Sequence, residues 1–156
     1  MTVYLLRHAN AGSRAKWAGD DQLRPLNADG RHQAADLVEV LDEVGVTRII
    51  SSPYRRCIQT VAPLAAALGL EWEISDALAE GPAGPAIVLA RSLATEAAVL
   101  CSHGDIIPAI LDALVVHDAL SLGSDAKCQK ASTWILEPNP KKRGAFSSVS
   151  YVPPPR

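Results

Sequence analysis

The amino-acid sequence predicts an α/β protein built on a mainly parallel sheet with helices on both faces. Two observations carry this expectation. In the first half of the chain, short β-branched or aliphatic runs alternate with longer segments of helical periodicity, the pattern of successive βαβ units. Further on, the run at residues 97–101 is almost continuously apolar, as expected of a central parallel strand buried on both faces.

Taken in order, a first strand is expected over residues 2–6. A helix follows over 28–44, capped by Asn27 and stopped at Gly45, with Leu37, Val40, Leu41 and Val44 at helical spacing. A second strand over 48–51 runs into Ser52-Pro53, which reads as a capping serine and a proline at the first helical position. That helix extends to residue 68, ahead of Gly69, and places Arg56 in its first turn. Then come a strand over 70–74, a Gly/Pro-rich loop over 80–85, a helix over 86–94, the strand at 97–101 and a helix over 106–116. Residues 132–136 and 147–152 fit closing strands, and Pro153-Pro154-Pro155-Arg156 an extended, unpaired end. No repeat, coiled coil or interdomain linker interrupts the 156 residues, so one domain spanning 1–156 is expected.

Composition narrows the classes of function. Hydrophobic residues make up 48% and charged residues 21%, as in a soluble globular protein and unlike a disordered or collagen-like chain. A formal net charge of −2 exerts no general pull on a nucleic-acid polymer or an anionic membrane, so anion binding has to come from locally placed Arg and His. Cys57, Cys101 and Cys128 match neither a disulfide framework nor a zinc site, which favours a reducing, cytoplasmic setting. The first seven residues are too short an apolar run for a signal peptide, and no membrane anchor is expected.

In open α/β sheets ligands bind beyond the carboxyl ends of the strands. Strand one ends in Arg7-His8, strand two leads into Ser51-Ser52 and Arg56, strand three is followed by Glu80, and strand four ends in Ser102-His103-Gly104. Two arginines, two histidines and a carboxyl suit phosphoryl transfer, in which a protein positions an in-line displacement and neutralises charge on three equatorial oxygens. Arginine forks neutralise, and a neutral imidazole attacks phosphorus directly, splitting hydrolysis into two steps. No metal or cofactor is required. The helix start beside Arg56 and a protonated His103 add positive charge, and Glu80 is the candidate general acid.

Other groups have plainer roles. Arg55 faces about 100° away from Arg56 on the same helix. Ser51, Ser52 and Ser102 are expected to be helix caps or phosphate-side donors. Ser102-His103-Gly104-Asp105 contains triad residue types, yet neighbours in one loop do not reach triad geometry. His32 and His117 fall on helices away from the strand ends and are not read as metal ligands. Lys141-Lys142-Arg143 reads as an exposed turn, and Cys57 and Cys101 as small apolar packing.

The same residues carry a resemblance. Arg7-His8-Ala9, the run from Ser52 to Thr60, Leu78-Ala79-Glu80 and Ser102-His103-Gly104 resemble, in order, the motifs of the histidine phosphatase superfamily. Asp21-Gln22-Leu23-Arg24-Pro25-Leu26 with Gly30 is similar to SixA-type phosphohistidine phosphatases. The stretch 7–13, Gly19-Asp20-Asp21 and the run 130–134 also look like the phosphatase domain appended to some MutT-type Nudix hydrolases. The superfamily and SixA-type motifs cover roughly residues 1 to 115.

The resemblance implies a three-layer Rossmann-like fold, phosphorylation of His8, a phosphoryl group held by Arg7, Arg56 and His103, and a proton from Glu80, with Asn10, Ser52 and Gly104 as further substrate contacts. It implies as substrate a phosphorylated protein or a small phosphorylated metabolite or nucleotide. Ala9 stands where many members have Gly, and Asn10 where many have a charged residue. SixA-type members can dispense with an acidic donor, because imidazole leaves more readily than an alkoxide. A catalytically silent phosphate-binding module is the alternative from another class. A phosphomutase is disfavoured, since no long capping insertion separates Glu80 from the fourth strand, which also predicts an open, shallow site.

Overall fold

The computed structural model describes residues 1–123 and 127–156. Six strands among them form one sheet: β1 (Val3–Arg7), β2 (Arg48–Ser51), β3 (Trp72–Ile74), β4 (Ala98–Ser102), β5 (Thr133–Pro138) and β6 (Phe146–Val152). Their order is β3-β2-β4-β1-β5-β6. The four strands from β3 to β1 pair in parallel, and β5 and β6 close the edge antiparallel.

Period-two alternation divides the strand side chains between two cores. Val3 and Leu5 of β1, Ile50 of β2 and Ala98 and Leu100 of β4 point to one face, where α3 (Gly84–Ser92) and α4 (Ile106–His117) cover them. Tyr4 and Leu6, Ile49, and Val99 and Cys101 point to the other, against α1 (Ala28–Leu41) and α2 (Arg55–Leu68). All five residues of β4 are buried, as a strand covered on both faces requires. The layers are therefore helix, sheet, helix. No helix among the described residues is long and apolar enough to cross a membrane.

Several element ends differ from the sequence expectation, each for a local reason. Helix α1 stops at Leu41, not residue 44: Val44 is exposed, so one more turn would bury nothing, and Gly45 turns the chain at φ +80°. Strand β3 begins at Trp72, not residue 70. Gly69 closes α2 in the left-handed region, and the Leu70 N–H is spent on the Ala65 carbonyl at 2.9 Å, a Schellman-type cap that leaves Leu70 unable to join the ladder.

Helix α2 begins at Arg55, with Tyr54 as its unassisted N-cap, so Ser52 does not cap it and Pro53 lies ahead of the helix. The Tyr54 ring stacks edge-on against His103, centroids 4.6 Å apart, and lies under the Arg56 guanidinium at 4.8 Å. Those contacts outweigh the preference of proline for the first helical position.

β4 lies between β1 and β2, so the residues following all three strands are neighbours. The His8 N–H donates to the Ser102 carbonyl, and the Ser52 N–H to the Cys101 carbonyl, each at 3.0 Å. One glycine permits a further close approach. A Cβ at Gly30 would lie 1.9 Å from the Asn10 carbonyl oxygen, so only glycine lets the start of α1 press against the loop that leaves β1.

Candidate active site

A cavity of about 500 Å³ opens at the carboxyl ends of the strands, lined by Arg7, His8, Gly12, Arg14, Arg24, Glu80, Gly104, Asp105 and Lys130. His8 is almost fully buried, and its Nδ1 lies 2.8 Å from the Ala9 carbonyl oxygen. A carbonyl only accepts, so Nδ1 carries the hydrogen and the lone pair of the neutral ring sits on Nε2. Burial first, and then the charges of His103, Arg56 and Arg7, lower the His8 pKa from 6.5 to about 3. The imidazole is neutral at physiological pH. Thr60 holds its loop: the hydroxyl accepts from the Ala9 N–H at 2.9 Å and donates to the Arg56 carbonyl at 2.7 Å.

Around His8 lie buried cationic or polar groups whose donors are not all spent. Arg7 Nη1 donates to the Cys128 carbonyl at 2.5 Å, while its Nε is buried without a partner. Arg56 is wholly buried; Nη1 and Nη2 reach the Asp21 carbonyl and carboxylate, Nη2 also reaches Glu80, and Nε has no partner. The His103 ring stands edge-on to His8, centroids 5.4 Å apart, with Nε2 on the Ser52 hydroxyl at 2.8 Å. Its Nδ1 comes within 3.5 Å of Glu80 Oε1 but lacks hydrogen-bond alignment, leaving that nitrogen unspent too. An unspent buried polar atom costs free energy on the order of 1–3 kcal/mol, and three such nitrogens at one end of a sheet call for a functional explanation.

Carboxylates keep these cations apart. Glu80 Oε1 accepts from Arg56 at 2.7 Å and from Arg14 at 2.5 Å. Guanidinium groups only donate, so a proton on Glu80 would sit on Oε2. Asp21 takes Arg24 at 2.9 Å, Arg56 at 3.1 Å and Arg14 at 3.4 Å. Burial works against ionisation of Asp21, yet Arg24, Arg56 and Arg14 hold its carboxyl below the usual range. Among the described residues, no group of three or more His, Cys, Asp or Glu side chains is placed to hold a metal ion.

The structure thus brings together His8, Arg7, Arg56, Glu80 and His103; of these His8, Arg7 and Glu80 line the cavity, whereas Arg56 and His103 are buried beside it. Gly104 belongs with them: a Cβ there would lie 2.7 Å from Arg7 Cζ, so the missing side chain is the space the guanidinium occupies. Ser52 is buried and reaches His103, not the cavity. Asn10 does not line the cavity either; its Oδ1 accepts from the Gly12 N–H and from Asn27 Nδ2, each at 3.0 Å, and secures the loop. Ser102 donates to the Leu78 carbonyl at 2.6 Å, tying the segment before Glu80 to β4.

Arg14, Arg24 and Lys130 reach the cavity without having been singled out as site residues by motif. The stretches around Asp21-Arg24 and Lys130 had contributed to the resemblance, which was the available signal.

The chain belongs to the histidine phosphatase superfamily (branch 1), whose model matches residues 3–86. It is 31% identical over 160 residues to an 8-oxo-(d)GTP phosphatase of Mycolicibacterium smegmatis, a match covering 99% of this chain and 48% of the relative. The chain therefore spans about half the length of that curated relative.

Among solved structures it is similar to one described as a SixA phosphohistidine phosphatase from Agrobacterium tumefaciens, with TM-score 0.76, 25% identity and coverage of 98% and 97% of the two chains. The protein histidine phosphatase SixA complexed with tungstate has the same fold, with TM-score 0.75, 21% identity and coverage of 94% and 93%.

Proposed function

We propose that this chain is a metal-independent phosphatase that works through a phosphohistidine on His8. The observation that carries this reading is a buried, neutral His8 with its Nε2 lone pair uncommitted, beside buried Arg7, Arg56 and His103 nitrogens that lack partners. In the first step Nε2 forms a bond to phosphorus as the bond to the leaving atom breaks. Arg7, Arg56 and His103 take the charge on the three equatorial oxygens. For an ester or nucleotide substrate Glu80 gives a proton to the leaving oxygen through Oε2, whereas a phosphohistidine substrate releases a neutral imidazole without one. In the second step a water gives up a proton to Glu80 and attacks phosphorus, and His8 departs as the neutral ring with inorganic phosphate released.

The open cavity fits either of two substrate sources. One is phosphohistidine on a protein, as the names of the SixA neighbours state for those proteins; the other is a nucleotide phosphate, as for the mycolicibacterial relative. The test is transfer of radiolabelled phosphate to the chain from each donor, with His8→Ala as control. An acid-labile label that requires His8 supports the mechanism and identifies the donor class. Phosphate binding without label from either donor, in a folded protein, would favour a silent binding module.

A further inference from the structure

Lys130 lines the same cavity as His8, yet among the described residues no carboxylate lies within ion-pair reach of it. The carboxylates that share the cavity are committed elsewhere. Glu80 is held by Arg14 and Arg56, and Asp105, whose Oδ2 accepts the Gly81 N–H at 3.1 Å, keeps its charge but lies outside ion-pair distance of Lys130. The ammonium instead sits in the field of other cations. Burial, and then the charges of Arg7, Arg24 and Arg56, push its pKa down. Arg24 adds field without spare capacity on its bonded edge, because Nε is taken by Asp21 and Nη1 by the Ala11 and Gly12 carbonyls.

The backbone keeps Lys130 in this unfavourable place. Ala131 is buried in the left-handed region at φ +65°, which a non-glycine residue adopts only with strain. Its N–H is shared at 3.1 Å between the carbonyls of Arg7 and His8. The Ser132 N–H and hydroxyl both close onto the Gln129 carbonyl, at 3.0 and 2.5 Å. Lys130 thus stands on a tight, strained turn fastened to the strand end that presents the nucleophile. Strain maintained at a cavity rim marks a residue whose position matters.

Building on the phosphatase reading above, we propose that Lys130 forms a second anion subsite, which receives a phosphate carried on the leaving group, so that diphosphates are the preferred substrates. On the phosphatase reading Arg7, Arg56 and His103 provide for the three oxygens of the group being transferred, and Lys130 lines the same cavity without an ion pair among the described residues. A lysine suits this role. Its ammonium is a compact charge with three rotatable donors on a flexible stem, able to follow a leaving phosphate that a rigid guanidinium fork would have to meet in one geometry.

The test separates this proposal from the reading beneath it. Binding of pyrophosphate and of orthophosphate is measured by calorimetry on His8→Ala, His8→Ala/Lys130→Gln and His8→Ala/Lys130→Arg. Pyrophosphate should bind at least about tenfold more tightly than orthophosphate, a preference that Lys130→Gln abolishes and Lys130→Arg largely keeps. On chains retaining His8, the ratio of kcat/KM for a nucleoside diphosphate over its monophosphate should fall by a similar factor in Lys130→Gln. Equal weakening of both anions, or no preference for pyrophosphate, would overturn the subsite while leaving the phosphatase reading intact. Binding of neither anion, with no label on the wild-type chain, would remove both.

Discussion

Two buried clusters of charge in this molecule obey opposite rules. At the corner where α3, the end of α4 and the start of β6 meet, Arg91 grips Asp118 through two bonds of 2.8 and 3.0 Å and also donates to the Gly144 carbonyl. Asp118 additionally accepts the Phe146 N–H at 2.9 Å. Burial would raise the Asp118 pKa, but Arg91 and the Phe146 N–H hold it below the usual range. At the carboxyl ends of the strands, Arg56 and His103 are buried and Arg7 half-buried, and each keeps a buried nitrogen without a partner. A buried charge with its partners present is accounted for by the architecture; one with polar atoms left over is what the proposed phosphate site would use.

Substitutions at the two clusters should therefore separate cleanly. Arg56→Ala should lower kcat/KM for an activated aryl phosphate by about a thousandfold, and Arg56→Lys should not restore it, since a lysine cannot reproduce the fork. Asp118→Ala should leave kcat/KM within about twofold while lowering unfolding free energy by roughly 2–3 kcal/mol, because the Phe146 N–H and a half-buried Arg91 lose their acceptor. Denaturant titration and steady-state kinetics on the same preparations decide it. A large loss of activity in Asp118→Ala would break the distinction.

His8 sharpens the contrast through pH. Its pKa is about 3 in the folded chain against 6.5 for the free group. Between those values the unfolded chain binds a proton that the folded chain refuses, so stability is full above pH 6.5 and declines as pH falls toward 3. From pH 7.5 to pH 4.5, wild type should lose roughly 2.5 kcal/mol more stability than His8→Gln, measured by denaturant unfolding at both pH values. An identical loss in the two proteins would mean that His8 is not held neutral by its surroundings.

The parts of this site that were legible in the sequence are those governed by strand ends. In the proposed site His8, Arg56 and His103 follow strand ends that a parallel sheet gathers, whereas Glu80, beyond β3, is placed by the 3-10 turn Asp76–Leu78 and the Ser102 hydroxyl on the Leu78 carbonyl. Arg14 and Lys130 were not legible as site residues, because their positions depend on loop conformation: a 3-10 turn for the first, and a left-handed alanine, against propensity, for the second. Ser52 illustrates the same limit. Ser-Pro before a helix is a sound capping signal, but a tertiary contact between Tyr54 and His103 moved the helix start and turned the serine hydroxyl to the His103 ring. The start of β3 failed for a similar reason, since a backbone N–H already spent on a helix cap cannot also join a ladder.

The smallest expected effect tests how finely the site is tuned. Gly104 needs no unusual backbone angle, so alanine there should fold; the conflict lies wholly between its new methyl group and the Arg7 guanidinium, 2.7 Å from Cζ. Arg7 cannot simply swing away, because its Nη1 is anchored on the Cys128 carbonyl. The guanidinium should shift by a few tenths of an ångström, displacing its donors relative to His8. Because a donor aimed at the transition state is worth more there than in the ground state, the cost should fall mainly on kcat, by about tenfold, with KM and the unfolding midpoint little changed. If Gly104→Ala instead raised KM and left kcat alone, Arg7 would be binding the ground-state phosphate without following it through the reaction.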